Sequence, residues 1–472
     1  MIVTPTDLVP AAALGHVHFV GIGGAGMSGI ARIMASRGMA VSGSDAKESD
    51  VVIGLRALGV DVHVGHDAQH VDGADTVVVS SAIRETNPEV VAAHEAGLRV
   101  IPRASALASV MVGRRGVAVA GTHGKTTTTS MITVALQHCG ADPSFAIGGS
   151  LNESGANAHD GTGDVFVAEA DESDQSFLAY DPEVSVVTNV EADHLDNYGT
   201  EDAYVAAFDA FADRPSRLLV VCADDPGSRA LGVRAAARGV AVRTYGESAD
   251  ADVRLTALNV NGPGASFGLV VDGRRVGQVD MQMPGRHNAL NAAAAFTAAS
   301  ELGFPAGSLI EGLAGFTGTR RRFEFKGAVA GVRVYDDYAH HPTEVTAVLD
   351  AARPVAAPGR VVAVFQPHLF SRTQIFAADF GAALGAADEV VVMDVYAARE
   401  DPEPGVTGAM VAAAVPLPAE QVRFEQSWST VPEVVASVAR PGDVVLTIGA
   451  GDVTLIGPEV LEVLAESGSA AR

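Results

Sequence analysis

A three-domain α/β protein built on mostly parallel sheets is what the sequence predicts, and three observations carry that expectation. Short apolar runs recur along the 472 residues, among them HVHFVGIGG, TVVVSSAI, GVAVAGTHGK, DVFVAEADE, EVSVVTNVE, RLLVVCADD, RVVAVFQPH, EVVVMDVY and DVVLTIGAGD. Glycine-rich or polar turns and longer Ala-rich stretches such as SGIARIMASRG and EDAYVAAFDAFADR separate them. Strand, loop, helix repeated in this way builds parallel layers with the functional loops at the carboxyl ends of the strands. The third observation is a set of changes in texture. IPRASALASVMVGRRG closes one unit and GVAVAGTHGK opens another, while GFTGTRRRFEFKG reads as an inter-domain segment. Domains at 1–112, 113–324 and 325–472 follow, each long enough to bury its own core. Within the second, residues 250–283 read as an antiparallel excursion with Gly-Pro and Asp-Gly turns. The tail LAESGSAAR reads as fraying.

Composition limits the partners. Thirty-two Lys and Arg against 57 Asp and Glu leave a formal net charge of −25. A field of that sign repels nucleic acid and anionic membrane surfaces, so a protein that coats either is excluded. An anionic small substrate is not excluded, because glycine N–H groups, one lysine or a metal dominate locally inside a cleft. Lys47, Lys125 and Lys326 are the only lysines, which makes the place of each informative. Cys139 and Cys222 sit in apolar text with no ligand or disulfide spacing, so buried, reduced thiols are expected. The start, MIVTPTDLVPAAALGHVHFVG, lacks a positive segment before its apolar part, and no run reaches 18 apolar residues. A cytoplasmic chain is the simplest expectation.

In chain order, the first chemical signal is HVHFVGIGGAGMSGIARIM, a strand, glycine turn and helix. Gly21, Gly23, Gly24 and Gly26 let backbone N–H groups approach a diphosphate at the helix N-terminus. Asp45 ends the next strand, where a dinucleotide fold keeps its ribose-reading acid. A lone glycine fingerprint fits NAD or another nucleotide diphosphate equally well. His66 and the pair Ser80 and Ser81 follow later strands and are candidates for the same cleft.

GVAVAGTHGKTTTTSMI is the strongest local signal. Gly121 and Gly124 flank a short loop containing Thr122 and His123, Lys125 follows, and Thr126 and Thr127 open a helix. Val119 stands where the long phosphate loop has glycine, so this is the shorter GTxGKT type. Its mechanics are the same: N–H groups and Lys125 hold phosphate oxygens, and the Thr126 hydroxyl can ligate Mg²⁺. Two further strand ends supply metal-compatible groups, Glu169 in DVFVAEADESD and Asn189, Glu191, Asp193, His194 and Asp196 in SVVTNVEADHLDNYG. In GRHNALN, His287, Asn288 and Asn291 open a helix, the two amides three apart and able to read a purine edge; capping is the plainer role for one of them.

The last third places polar runs after apolar strands: VYDDYAHHPTE, FQPHLFSRTQ and LTIGAGD. Asp336, Asp337, Tyr338, His340, His341, His368, Arg372 and Asp452 are thereby brought to one sheet edge. Arg320, Arg321 and Arg322 precede them, as a solvated patch or as a source of one arginine reaching transferring phosphate.

Taken together and in order, GIGGAGMSG, GTHGKTTTT, EADESD, TNVEADHLD, GRHNALN, GTRRRFE, DDYAHHPTE, QPHLFSRT, DVYAARE and GAGD resemble the ATP-dependent Mur ligases from about residue 15 to about 455. The likeness is to their alanine-adding branch. It implies an N-terminal Rossmann-like domain for the UDP-sugar, a central P-loop ATPase-like domain, and a C-terminal Rossmann-like α/β domain for the amino acid. The implied activity is ligation of L-alanine to the lactyl carboxylate of UDP-N-acetylmuramate with ATP and Mg²⁺, two ions, in bacterial peptidoglycan precursor synthesis. By the resemblance, Gly23, Gly24, Gly26, Met27 and Ser28 would hold the diphosphate, with Asp45, His66, Ser80 and Ser81 beside uridine or sugar. Gly121, Thr122, His123, Gly124, Lys125, Thr126 and Thr127 would sit on ATP phosphates, Thr126 and Glu169 on one Mg²⁺, and His194 near a second.

The resemblance also assigns His287, Asn288 and Asn291 to adenine, Arg322 to phosphate and Asp336 to ribose. His341, His368 and Arg372 would line the alanine and acyl-phosphate site. Lys125, Glu169, His194, Arg322, His341 and Arg372 are the expected catalytic set. Sister ligases use a carbamylated lysine as a metal support; DNYGTEDAYVAAFDAFADR contains no lysine, so that segment cannot provide one. A ligase attaching a recovered tripeptide to the same UDP-sugar is the nearest alternative. A non-catalytic nucleotide-binding regulator is disfavoured by the intact Lys125, Thr126, Glu169 and His194, and an NAD oxidoreductase by the second loop, which it would leave without a task.

Overall fold

The computed structural model describes residues 8–398 and 400–470. The chain packs as two compact units, one of residues up to 256 with 268–279 and 290–316, the other of 257–267, 280–289 and 317 onward. Three sheets organise it into the three-domain α/β architecture.

The first sheet contains β1 (Val17–Val20), β2 (Val41–Asp45), β3 (Asp61–Val64), β4 (Thr76–Val79) and β5 (Arg99–Pro102), ordered β3-β2-β1-β4-β5. Every pairing is parallel. The strand order reverses between β1 and β4, which opens a crevice beyond their carboxyl ends. The glycine turn after β1 and Ser80 after β4 flank it. The apolar runs form strands here because helices cover both faces; Val17, Phe19, Val77 and Val78 are fully buried.

The central sheet has ten strands: β6 (Arg115–Ala120), β7 (Ser144–Ala146), β8 (Ala158–His159), β9 (Val165–Glu169), β10 (Val184–Val187), β11 (Leu218–Cys222), β12 (Val242–Gly246), β13 (Val253–Asn259), β14 (Ala265–Val271) and β15 (Arg274–Met281). Their order is β15-β14-β13-β12-β11-β10-β6-β9-β7-β8. β6 lies parallel between β9 and β10, so their three carboxyl ends meet. β14 and β15 are joined by Asp272-Gly273 with both residues at positive φ (48° and 77°). A two-residue turn of that kind serves an antiparallel hairpin, as the Asp-Gly text predicts.

The third sheet, β16 (Glu324–Val329), β17 (Val332–Asp337), β18 (Val361–Phe365), β19 (Glu389–Met393), β20 (Val422–Glu425) and β21 (Val444–Ile448), runs β16-β17-β21-β18-β19-β20. Only β16 is antiparallel to its neighbour. The ends of β17, β21 and β18 are adjacent there.

Two readings need correction. Cys222 is buried, but Cys139, just past the helix Lys125–His138, is only half-buried; both are free thiols. The tail drawn as fraying continues as helix through Ala470, because Ile456, Val460 and Leu464 form an apolar stripe buried against the third sheet. Among the described residues, no helix is long and apolar enough to cross a membrane. The opening Met1–Asp7, part of the leader reading, lies outside them.

Candidate active site

The loop after β6 is built on two glycines. Gly121 has φ 133°, and a Cβ on it would stand 2.0 Å from Thr188 Oγ1 at the end of β10. Gly124 (φ 82°) is left-handed at the N-cap, so the helix Lys125–His138 begins one residue earlier than the sequence pattern gives. A Cβ at Gly124 would lie 2.6 Å from Asn291 Oδ1, which places that amide against the loop. Side chains just past the end of β10 fix the loop's backbone. Asn189 Oδ1 accepts the His123 N–H at 2.8 Å, and Thr188 Oγ1 donates to the His123 carbonyl at 2.6 Å. Thr122 Oγ1 donates to the Glu191 carbonyl at 2.9 Å, and the His123 ring pairs with the Glu191 carboxylate at 3.1 Å.

Lys125 folds back along this loop. Its Nζ donates to the Gly121 and Thr122 carbonyls (2.7 and 3.1 Å) and to Glu172 at 2.9 Å. Burial pushes the ammonium down, but Glu172, Asp171 and Glu169 outweigh it and hold Lys125 charged. Burial drives the Glu172 carboxyl up to about 7, with Asp171 adding to the rise and Lys125 opposing it. Glu172 lies inside EADESD but was not singled out from sequence. Its signal was position, the next acid after Glu169 on a loop leaving a strand end.

Thr126 and Glu169 are brought together as expected. Thr126 Oγ1 donates to Glu169 Oε1 at 3.0 Å, and Glu169 Oε2 accepts the Gly148 N–H at 2.8 Å. His194, with φ 53°, places Nε2 3.7 Å from Glu172 and 3.6 Å from Asp193. The Asp196 side chain lies outside the described set. Lys125, Thr126, Glu169, Glu172 and His194 thus form one constellation where β6, β9 and β10 end.

The glycine turn after β1 is differently built. Gly21 is left-handed at φ 77°, Asp45 Oδ2 accepts the Gly23 N–H at 2.9 Å, and the helix Ala25–Ser36, with Met27 and Ser28 buried, follows. Beneath it lies a group that sequence reasoning missed. Glu89, fully buried, accepts from Ser44 Oγ (2.5 Å) and from the rings of His66 (3.3 Å) and His70 (2.7 Å), with His18 at 3.7 Å. Burial raises its pKa, but the hydrogen bonds of His18, Ser44 and His70 prevail and hold it down at about 2. His66 therefore has its Nδ1 engaged by Glu89 and Ser44. Ser80 is half-buried and Ser81 exposed.

In the second unit, Asp336 is fully buried and turned inward. Thr447 Oγ1 (2.6 Å), Thr454 Oγ1 (2.7 Å) and Arg321 Nε (3.3 Å) donate to its carboxylate, a set of internal partners for the residue expected at ribose. Asp337, raised to about 6 by burial against the pull of Arg322, accepts the Phe323 and Ala339 N–H groups. Arg320 is exposed, whereas the Arg321 and Arg322 guanidinium carbons lie 4.8 and 5.3 Å from the centre of the Tyr338 ring.

The histidine pair splits its duties. His341 caps the helix Pro342–Ala356, its Nδ1 accepting the Thr343 N–H at 3.4 Å, and its ring meets Phe376 edge-on. His340 donates from Nδ1 to the Tyr338 carbonyl at 3.0 Å, and burial lowers its pKa to about 3, so the ring is neutral with its lone pair on Nε2. His368 stacks on Tyr396 and lies 6.1 Å from the His340 ring, and Arg372 is buried beside His340. His287 is also held neutral, down to about 4, by burial and by Arg322. The Asn288 side-chain amide donates to the Pro284 carbonyl at 2.8 Å, an i to i−4 bond rather than an N-cap, in which a side-chain oxygen would accept a helix N–H.

Residues 16–115 match the Mur ligase family catalytic domain, 119–299 the Mur ligase middle domain, and 321–451 the Mur ligase glutamate ligase domain. The chain belongs to the Mur ligase family. Its relatives include a UDP-N-acetylmuramate–L-alanine ligase of Acidothermus cellulolyticus, 59% identical over 97% of this chain and 96% of that one. Another, of the same description from Kineococcus radiotolerans, is 61% identical over 96% and 97%. Among solved structures, a UDP-N-acetylmuramate-alanine ligase of Thermotoga maritima matches with TM-score 0.80 and 30% identity, covering 96% of this chain and 99% of that one. A murein peptide ligase of Psychrobacter arcticus follows a similar course at TM-score 0.69 and 25% identity, over 96% and 99%.

Proposed function

We propose that this Mur ligase joins L-alanine to the lactyl carboxylate of UDP-N-acetylmuramate, with ATP converted to ADP and phosphate. The observation that carries this reading is the 59–61% identity, over nearly the whole chain, to proteins of that activity. It is supported by the Lys125, Thr126 and Glu169 constellation beside the second glycine loop. The reading divides the chain at 1–112 for the UDP-sugar, 113–324 for ATP and 325–472 for the amino acid, and keeps the cytoplasmic setting expected from sequence.

A carboxylate is a poor acyl donor because its leaving group would be oxide. Transfer of the ATP γ-phosphoryl group to a lactyl oxygen gives an acyl phosphate and ADP. The neutral amine of L-alanine adds to the carbonyl carbon, and the tetrahedral intermediate expels phosphate to leave an amide. Lys125, held cationic, balances charge on phosphate oxygens, while the loop N–H groups orient them. Thr126 and Glu169 offer an oxygen-only donor pair, suited to Mg²⁺, and His194 with Asp193 and Glu172 would serve a second ion. Bound there, Mg²⁺ would offset the charge of the phosphoryl oxygens. Arg322, His341, His368 and Arg372 are assigned to the phosphate and alanine end, and His287, Asn288, Asn291 and Asp336 to the adenosine end.

The test gives purified protein ATP, Mg²⁺ and UDP-N-acetylmuramate, with L-alanine, glycine, L-serine or a tripeptide as acceptor. L-alanine should support the fastest phosphate release and amide formation. Preference for the tripeptide would favour the peptide-ligase reading, and product without dependence on L-alanine would overturn the proposal.

A further inference from the structure

Between the first glycine loop and the ATP-site acids lies a small cleft whose lining includes Gly26, Arg103, Gly148, Asn157, Glu169 and Asp171. Arg103 is its one cationic lining residue, and it arrives from the helix Arg103–Met111 that follows β5. Its setting differs from that of the other arginines nearby. Arg37 is tied by three hydrogen bonds to Asp160 and the Val110 carbonyl, and Arg115 by a fork to Glu183. Arg103 makes a single ion pair, to Asp171 at 3.5 Å, with no side-chain hydrogen bond among the described residues. An arginine carries five N–H donors in a planar fork. Here they are held half-open beside a cleft instead of being spent on the protein.

Its position is equally specific. A Cβ built on Gly26 would stand 2.9 Å from Arg103 Nη1, so the guanidinium lies directly against the first turn of the helix Ala25–Ser36. Burial pushes the guanidinium pKa down, but Tyr180, Asp171, Asp174 and Glu169 raise it on balance, so the charge is permanent. Asp171 and Glu169 make the rest of the cleft acidic. An anion entering there needs a local cation, and the first glycine loop, unlike the second, is followed by no lysine.

We propose that Arg103 binds the diphosphate of the UDP-sugar, supplying the charge that the first glycine loop lacks. The inference rests on the ligase reading for the identity of the nucleotide. It makes Gly26 a space-keeping residue: the missing side chain lets the arginine reach the same oxygens as the loop N–H groups. A forked arginine–phosphate contact is both stronger and more directional than a lysine's point charge, which suits an anion that is held but not transferred.

The experiment compares wild type with Arg103→Met, which keeps the stem and removes the fork, and Arg103→Lys, which keeps the charge. UDP is titrated directly by calorimetry, and KM for UDP-N-acetylmuramate and ATP is measured in the ligation assay. Arg103→Met should weaken UDP binding and raise the UDP-N-acetylmuramate KM together, by about tenfold to a hundredfold. The ATP KM and melting temperature should stay near wild type, and Arg103→Lys should recover part of the loss. Unchanged UDP affinity, or a KM effect on UDP-N-acetylmuramate alone that points to the lactyl carboxylate, would overturn the proposal. Equal loss of ATP affinity would overturn it too. If wild type binds UDP through Arg103 yet makes no L-alanine product, the ligase reading falls while this one stands.

Discussion

The two glycine loops of the first unit share an architecture and differ in chemistry. Each follows a central strand of a parallel sheet and opens a helix, at Ala25 and at Lys125. Around the first, no lysine follows the turn, and Asp45 takes the Gly23 N–H. Around the second, Lys125 is wired to Glu172 and Thr126 to Glu169. The first arrangement suits a diphosphate that is held in place; the second suits a phosphoryl group whose charge moves during reaction. A glycine loop therefore marks phosphate, and the groups that converge on it decide what happens there.

Breaking the second loop should have the largest effect. Lys125→Ala is expected to lower the ligation rate by about 10³-fold or more, with an unchanged circular dichroism spectrum; normal turnover would remove Lys125 from the phosphate role. Glu169→Gln should next raise the Mg²⁺ concentration needed for half-maximal rate by roughly tenfold, read from a metal titration at saturating ATP. Gly121→Ala should destabilise by about 3 kcal/mol or more in denaturant melts, since its Cβ would collide with Thr188.

The first loop responds through its support. The Glu89 carboxyl is depressed to about 2 in the folded state from an ordinary 4.5, so the unfolded chain takes up its proton first. Its stabilisation is complete above pH 4.5 and is lost as pH falls toward 2. Glu89→Gln should cost about 2–3 kcal/mol at pH 7 and leave a shallower acid limb in a pH series of melts. Smallest of all, Gly21→Ala should cost about 1–2 kcal/mol, because beyond its positive φ a Cβ meets only the movable end of Ile83 at 3.2 Å. A larger loss at Gly21 than at Gly121 would invert the comparison.

Local text made much of this legible. Period, turn residues and the GTHGKT spacing located the strands, the Asp272-Gly273 hairpin and the Thr126–Glu169 pair, since each depends on a loop and the strand before it. What escaped depended on distance in sequence. Glu89 reads as an ordinary helix-start acid until His18 and Ser44 from two strands, His66 from the loop after β3 and His70 from a short 3-10 turn close around it. Arg103 reads as one arginine of 29 until Gly26 and Asp171 are seen on either side of it. Asp336 reads as one of several polar residues at a sheet edge until Thr447, Thr454 and Arg321 are seen to donate to its carboxylate. The tail looked polar enough to fray because its apolar stripe is sparse.

The central claim is that the lactyl carboxylate is activated by phosphoryl transfer at the second loop. UDP-N-acetylmuramate carrying ¹⁸O in that carboxylate tests it directly, with the released phosphate and nucleotide analysed by mass spectrometry after ligation of L-alanine. The account predicts one ¹⁸O in each phosphate and ADP as the nucleotide. Phosphate free of ¹⁸O, or AMP with pyrophosphate, would contradict it.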